Sequence, residues 1–137
     1  MNCRIVFYAA RKTSYCEKAL RKSVEGLGLN VSGALFATDG NSLGERLTEA
    51  FYECDLVFVI GGLALDDKRS VKIVMSNAIK DMDIDECKKL KNEAGNDGYL
   101  LRAGDQVLVI LPDDPDQLDA MMHGCLAGYL QLRVNTA

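Results

Sequence analysis

The sequence predicts an α/β fold organised around a mostly parallel sheet, and three observations carry that prediction. Apolar runs of strand length alternate with segments of helical periodicity, the order expected of repeated βαβ units. The run Leu56-Val57-Phe58-Val59-Ile60 is apolar without alternation, as a strand covered on both faces must be. Short connections rich in glycine and aspartate separate the runs, which leaves room for tight turns and little else.

The first strand is expected from Arg4 to Ala10. Ser14-x-x-Glu17 then reads as a capping box, with Cys16, Ala19, Leu20, Val24 and Leu27 on one helical face and Gly28 as the stop. Val31 to Thr38 is the second strand and Asp39-Gly40 a turn. Ser42-x-x-Glu45 is a further capping box, opening a helix that turns Leu43, Leu47, Ala50, Phe51 and Cys54 inward. Asp55 to Ile60 is the third strand. Because helices separate these three strands, they should be parallel.

Ser70 is placed to cap a helix through about Ile79, and Asp83-x-x-Glu86 to open a short helix containing Cys87 and Leu90. Asn92 to Gly98 is polar and reads as a loop. Tyr99-Leu100-Leu101, the turn Ala103-Gly104-Asp105 and Val107 to Leu111 form a hairpin whose second arm is the last core strand, adding antiparallel pairing to the sheet. Asp114 and Pro115 start a final helix with proline at its first position and Gln117 completing a capping box. Its apolar face is Leu118, Met121, Met122, Cys125, Leu126 and Tyr129. No repeat, linker or low-complexity segment interrupts residues 1–137, which read as a single domain.

Composition narrows the function classes. The chain has 137 residues, 48% hydrophobic and 26% charged, values ordinary for a globular domain. No apolar run approaches the ~20 residues of a membrane span. Net charge is −4, and the excess of acid follows the glycine pair at 61–62, which argues against a nucleic-acid surface. No signal-peptide pattern opens the sequence, so a cytoplasmic location is expected. Cys3, Cys16, Cys54, Cys87 and Cys125 are odd in number and widely spaced, which fits reduced core thiols and offers no zinc-ligand spacing.

Two loops carry the candidate chemistry. Gly61, Gly62 and Leu63 follow the carboxyl end of a buried strand, where open α/β sheets bind ligands. Paired glycines permit positive φ and a close approach of backbone N–H groups to a ligand oxygen. Asp66 and Asp67 follow as candidate oxygen ligands for a cation. The second loop, Pro112-Asp113-Asp114-Pro115, leaves the last core strand. A ligand cleft is therefore expected between 61–67 and 112–115, and Gly62→Val is expected to abolish binding with modest cost to the fold. The lone His123, on the last helix, is better read as an exposed or core-edge histidine than as a catalytic acid, and Ser14 and Ser70 as caps rather than nucleophiles, since no histidine is placed by sequence to activate either.

With these stretches in view, the chain resembles the molybdopterin-binding domain family: molybdopterin adenylyltransferases, MoaB-like proteins and the N-terminal domain of CinA-like proteins. The likeness spans nearly the whole chain and rests on two motif regions. One is Asp55-Leu56-Val57-Phe58-Val59-Ile60-Gly61-Gly62-Leu63 through Asp66-Asp67, and the other Val109-Ile110-Leu111-Pro112-Asp113-Asp114-Pro115. The resemblance implies a three-layer α/β sandwich around a mostly parallel sheet with one antiparallel hairpin. It also implies molybdopterin as ligand, with Gly61, Gly62, Leu63, Asp66, Asp67, Pro112, Asp113 and Pro115 around it, and Asp66 with Asp67 on a metal.

The departures fall at the pocket. Ala64 stands where the family's next glycine falls, Lys68-Arg69-Ser70 replaces Asp-x-Thr, and Asp113 replaces the glycine between the prolines. A carboxylate at 113 would repel a pterin phosphate. Two readings of the resemblance stay open: a pterin-binding protein without the chemistry, which these substitutions favour, and an adenylyltransferase using Mg2+ and ATP. A regulatory homo-oligomer built through Met121, Met122 and Leu126 is a third reading. A phosphoribohydrolase-like nucleotide-binding protein is the fourth, ranked lower because Ile60 and Leu65 depart from its Pro-Gly-Gly-x-Gly-Thr loop.

Overall fold

The computed structural model describes residues 1–65, 67–80 and 83–136. The elements run in the order β1 (Asn2–Tyr8), α1 (Thr13–Glu25), β2 (Asn30–Ala37), α2 (Gly40–Glu53), β3 (Leu56–Ile60), α3 (Val71–Ile79), β4 (Glu86–Leu90), β5 (Gly98–Ala103), β6 (Gln106–Leu111), α4 (Pro115–Met122) and α5 (Cys125–Thr136). All six strands form one sheet in the order β2-β1-β3-β6-β5-β4. Pairing is parallel from β2 through β6, with Phe58 beside both Ile5 and Val109, and antiparallel on both sides of β5. The three-layer architecture and the parallel order of the first three strands are as the sequence predicts.

Alternation along the central strands explains the layers. Ile5, Phe7, Phe58, Ile60, Val109 and Leu111 turn to one face, where they meet Cys16, Leu20 and Val24 of α1 together with Leu118, Met122, Leu126 and Leu130 of α4 and α5. Val6, Tyr8, Val57, Val59, Leu108 and Ile110 turn to the other, against Leu43, Leu47 and Ala50 of α2 and Val71 and Met75 of α3. Full burial of an aliphatic or aromatic side chain is worth roughly 1.5–3 kcal/mol, so both faces must be covered and the apolar run of β3 is accounted for. Helices α1, α2, α3 and α4 each follow a strand, so their N-termini gather near the carboxyl ends of β1, β2, β3 and β6.

Several local expectations change. Lys12, not Ser14, stands at the N-cap of α1, without a side-chain hydrogen bond. Asp39 caps α2: its carboxylate accepts from the Ser42 amide at 2.8 Å, and the Ser42 hydroxyl accepts from the Asp39 amide at 3.1 Å. The capping box is therefore present but three residues earlier, because aspartate accepts a backbone N–H at least as well as serine does. Segment 86–90 is a strand rather than a helix. Glu86 lies opposite Arg102, accepts from its Nε at 3.2 Å and pairs with Lys88 at 2.9 Å, so cross-strand partners override the local capping pattern.

The final helix is broken at His123 and Gly124, where amides fold back onto carbonyls three residues earlier. Met121, Met122 and Leu126 are 8%, 2% and 3% exposed and pack into the core, so this face is not an oligomer surface. Cys3, Cys16 and Cys54 are buried free thiols, whereas Cys87 is exposed on the edge strand; the Cys125 side chain lies outside the description. Burial pushes the Cys3 thiol up to about 12 and Cys16 to about 11, with Cys54 reinforcing the first and Asp113 the second. Both stay protonated at neutral pH. Among the described residues, no helix is long and apolar enough to cross a membrane.

Candidate functional site

The β1–α1, β3–α3 and β6–α4 loops meet over the carboxyl ends of three adjacent parallel strands. They enclose a cleft of about 400 Å3 lined by Arg11, Lys12, Leu63, Ala64, Pro112, Asp113, Asp114 and Gln117, with Gly95 and Asn96 of the β4–β5 loop as its far wall. A polar hollow of about 480 Å3 adjoins it across Leu63, Gly95 and Asn96, and takes in Leu65, Ser70, Lys72, Ile73, Lys89, Asp97 and Tyr99. A third hollow, apolar and about 360 Å3, sits between α2 and the β5–β6 hairpin, near the opposite ends of the strands. Its lining of Leu47, Phe51, Met75, Leu101 and Leu108 offers little to orient a polar ligand.

Of the residues expected at the site, Leu63, Pro112 and Asp113 line the cleft. Pro115 is half-buried as the first residue of α4, and Asp114 beside it caps that helix, its Oδ1 accepting from the amides of Asp116 at 3.0 Å and Gln117 at 3.1 Å. Gln117 does not complete the capping box; its Oε1 instead accepts from Asn92 Nδ2 at 2.7 Å. Asp66 lies outside the described residues.

The glycine pair is buried behind the cleft. Gly61 has φ +110° and Gly62 φ +76°, both left-handed. The Gly61 amide donates to the Leu111 carbonyl at 3.0 Å, which ties the two loops together at their roots. A Cβ on Gly61 would run into the Tyr8 carbonyl oxygen and come within 2.9 Å of Ala10 Cβ; one on Gly62 would lie 2.6 Å from Tyr8 Cδ2 and 2.9 Å from Val71 Cβ. The demand for glycine thus comes from the end of β1 and the start of α3. Substitution would be felt in packing first, contrary to the modest fold cost expected for Gly62→Val.

Asp67 is exposed and already engaged. Arg69 donates to its Oδ1 from the backbone amide at 2.9 Å and to Oδ2 from Nη2 at 2.9 Å, with Nε 3.1 Å from both oxygens. These hydrogen bonds hold the Asp67 carboxyl below the usual range. Tyr8 donates to the Arg69 carbonyl at 2.6 Å and so pins the same loop, and burial raises its phenol above the ordinary value. Asp113 is likewise occupied: its Oδ2 accepts from the Arg11 amide at 2.8 Å and lies 3.9 Å from Arg11 Nε. Among the described residues, no group of three or more His, Cys, Asp or Glu side chains could hold a metal ion.

Sequence reasoning missed four contributors: Arg11, Lys12, Asn92 and Gln117. Ala9 and Lys12 hold φ of +46° and +54°, a conformation that costs non-glycine residues about 1–2 kcal/mol. The bend presents Arg11 and Lys12 at the uncapped start of α1, where the helix dipole favours an anion. Asn92 is 8% exposed and organises the far wall, its Nδ2 donating to Asn96 O at 3.0 Å as well as to Gln117 while its Oδ1 accepts from the Ala94 amide at 3.1 Å. An asparagine followed by a polar loop was the one available signal. His123 lies elsewhere, in a hollow with Lys22, Ser23 and Gly26, and its ring Nδ1 is 2.7 Å from the Asp119 carbonyl.

Comparison with known proteins places the fold. The structure superposes on a protein called CinA, of unknown function, from Thermoplasma acidophilum, with a TM-score of 0.75 and 16% identity over 93% of this chain and 96% of that one. It superposes on the molybdopterin biosynthesis Mog protein of Mycobacterium ulcerans with a TM-score of 0.74 and 19% identity, covering 98% and 97% of the two chains. The molybdopterin biosynthesis enzyme MoaB of Thermus thermophilus gives 0.70 and 14%, covering 98% and 96%. No protein-family profile matches the chain, and no curated protein matches it in sequence. The chain therefore has the fold shared by CinA, Mog and MoaB proteins, as the motif resemblance implies.

Proposed function

We propose that this protein binds molybdopterin, or a closely related phosphorylated pterin, in the cleft between the β3–α3 and β6–α4 loops and belongs to molybdenum cofactor biosynthesis as a binding protein rather than an efficient adenylyltransferase. The observation that carries the reading is the convergence of Leu63 and Ala64 with Pro112 and Asp113, opposite Arg11 and Lys12, at the carboxyl ends of β1, β3 and β6. Apolar Leu63 and Pro112 offer a surface for a flat heterocycle. Arg11, Lys12 and the open first turn of α1 offer charge to an anionic tail. A fold shared with proteins of molybdopterin biosynthesis supports the same assignment.

The lean against adenylyl transfer is electrostatic. Phosphoryl transfer asks a protein mainly for positioned cations and unobstructed N–H dipoles. Here the Asp113 carboxylate already occupies the Arg11 amide, Asp114 caps α4 and Asp67 is held by Arg69. The described carboxylates therefore do not assemble a Mg2+ site. A cytoplasmic, self-associating protein completes the reading, with any interface drawn from surfaces other than the buried Met121–Met122–Leu126 face.

Calorimetric titration with molybdopterin, with and without Mg2+ and ATP, followed by an assay for adenylated pterin, tests the proposal. Saturable binding with no product is the expected result. Product at the rate of an established adenylyltransferase would restore the enzyme reading, and the absence of any pterin binding would end both.

A further inference from the structure

The two edges of the sheet are defended unequally. On β4 the run Glu86-Cys87-Lys88-Lys89-Leu90 carries three charged side chains, the usual protection of an edge strand against pairing with another chain. From Leu29 to Thr38, a stretch that contains all of β2, no side chain is charged and no residue is proline.

Two backbone bonds fix which way β2 points. The Asn30 amide donates to the Met1 carbonyl at 3.0 Å, and the Ala37 carbonyl accepts from the Ala9 amide at 3.1 Å. Successive residues of a strand turn their N–H and C=O groups to opposite sides, so Gly33, Leu35 and Ala37 address β1 while Ala34 and Phe36 turn theirs away from the sheet. The groups to either side are already used. Arg21 Nη1 donates to the Val31 carbonyl at 3.3 Å, and the Thr38 amide donates to Ser42 Oγ at 3.1 Å. A register shift opposite Cys3 and Arg4 further disturbs the edge before Gly33. The open edge thus narrows to the outward groups of Ala34 and Phe36, which have no partner among the described residues.

The side chains there are neutral and apolar. Phe36 is 61% exposed although its ring stacks on Phe7, with centroids 5.2 Å apart. Ala34 is partly buried on the α1 side of the sheet and Leu35 on the α2 side.

From these observations we infer that β2 pairs antiparallel with β2 of a second copy of this chain about a two-fold axis at Leu35, joining two six-stranded sheets into one. The strand matches itself. In this register Ala34 faces Phe36 of the partner subunit, so each outward donor meets an outward acceptor and a small side chain lies opposite a ring. No like charges meet at the axis, as Lys88 and Lys89 would on β4. A single strand pair makes a small contact, so the dimer is reversible and of micromolar strength. The inference gives a surface to the self-association proposed above and rests on that part of the reading; it is independent of pterin binding.

Sedimentation velocity of the full chain over a range of concentrations, with amide hydrogen exchange followed by NMR, tests it. The parent should pass from monomer to dimer. As it does, exchange at Ala34 and Phe36 should slow, whereas the Leu35 amide, bonded within the sheet, is protected throughout. Phe36→Lys, at an exposed position, should weaken the dimer about tenfold or more by burying an unpaired charge. Ala34→Pro removes only an outward donor and should weaken it several-fold while β1–β2 pairing persists. Cys87→Lys, on the opposite edge, should change nothing. A dimer that survives both β2 substitutions, or that Cys87→Lys abolishes, would overturn this surface and leave self-association to another. Exchange at Ala34 and Phe36 that ignores dimer formation would also overturn it. A chain that stays monomeric at every concentration would end both the surface and the self-association.

Discussion

The loop after β3 and the loop after β6 look alike in sequence, each an apolar strand running into turn residues and carboxylates, but they do opposite work. The first turns its glycines inward. Gly61 and Gly62 are there because the end of β1 and the start of α3 leave no space for a Cβ. The second turns its carboxylates toward the cleft, with Asp113 on the Arg11 amide and Asp114 on the first turn of α4. A glycine pair after a buried strand is thus weak testimony about a ligand, because close packing of protein on protein demands the same absence of side chain. The more informative residue is the carboxylate that sits on donors an anionic ligand would otherwise use.

The largest expected effect breaks the comparison at the glycines. Gly62→Val should destabilise the protein by about 3 kcal/mol or more, since overpacking and a left-handed φ are both penalised. Gly104→Ala, at φ +60° with open space around its Cβ, should cost about 1 kcal/mol. Urea unfolding measures both. A Gly62→Val protein as stable as the parent that fails to bind pterin would return this glycine to the ligand.

Asp113→Ala tests the other loop. Its contact with Arg11 is largely solvent-exposed on the arginine side, so stability should change by under about 1 kcal/mol. Affinity for a phosphorylated pterin should instead rise several-fold as the Arg11 amide and guanidinium become available. A calorimetric titration that shows weaker binding would mean that the carboxylate contacts the ligand directly.

The smallest effect concerns Asp67 and pH. Hydrogen bonds from Arg69 hold this carboxyl below its ordinary value, so the pair's contribution is present above the usual carboxylate range of about 4 and is lost as pH falls through the depressed value. Arg69→Ala should move the Asp67 titration, followed by carboxyl carbon NMR, back up toward the ordinary value. An unmoved titration would show that Arg69 is not its partner in solution.

The elements that could be read along the chain were those whose signal is local and periodic. The apolar run of β3, the helical stripes of α1 and α2 and the β5–β6 hairpin all stand where their patterns place them. Segment 86–90 could not be read, because Glu86 and Lys88 gain their strand character from Arg102 and the β5 backbone, partners sixteen and fewer residues away that no local pattern encodes. The same holds at the site. Pro112 and Leu63 could be found from strand ends, but Arg11 and Lys12 come to the cleft through left-handed residues with no glycine to announce them.

The sequence by itself determined the layer architecture, the direction of the first three strands and the end of the sheet at which a cleft would open, because each follows from periodicity and from the covering that buried strands require. Tertiary structure alone decided what the motif residues do. Whether a glycine faces a ligand or a tyrosine, and whether an aspartate is free or already holds an arginine, depends on which distant segments meet at the ends of β1, β3 and β6. Those meetings are set by close packing between layers, which the spacing of residues along one strand or helix does not record.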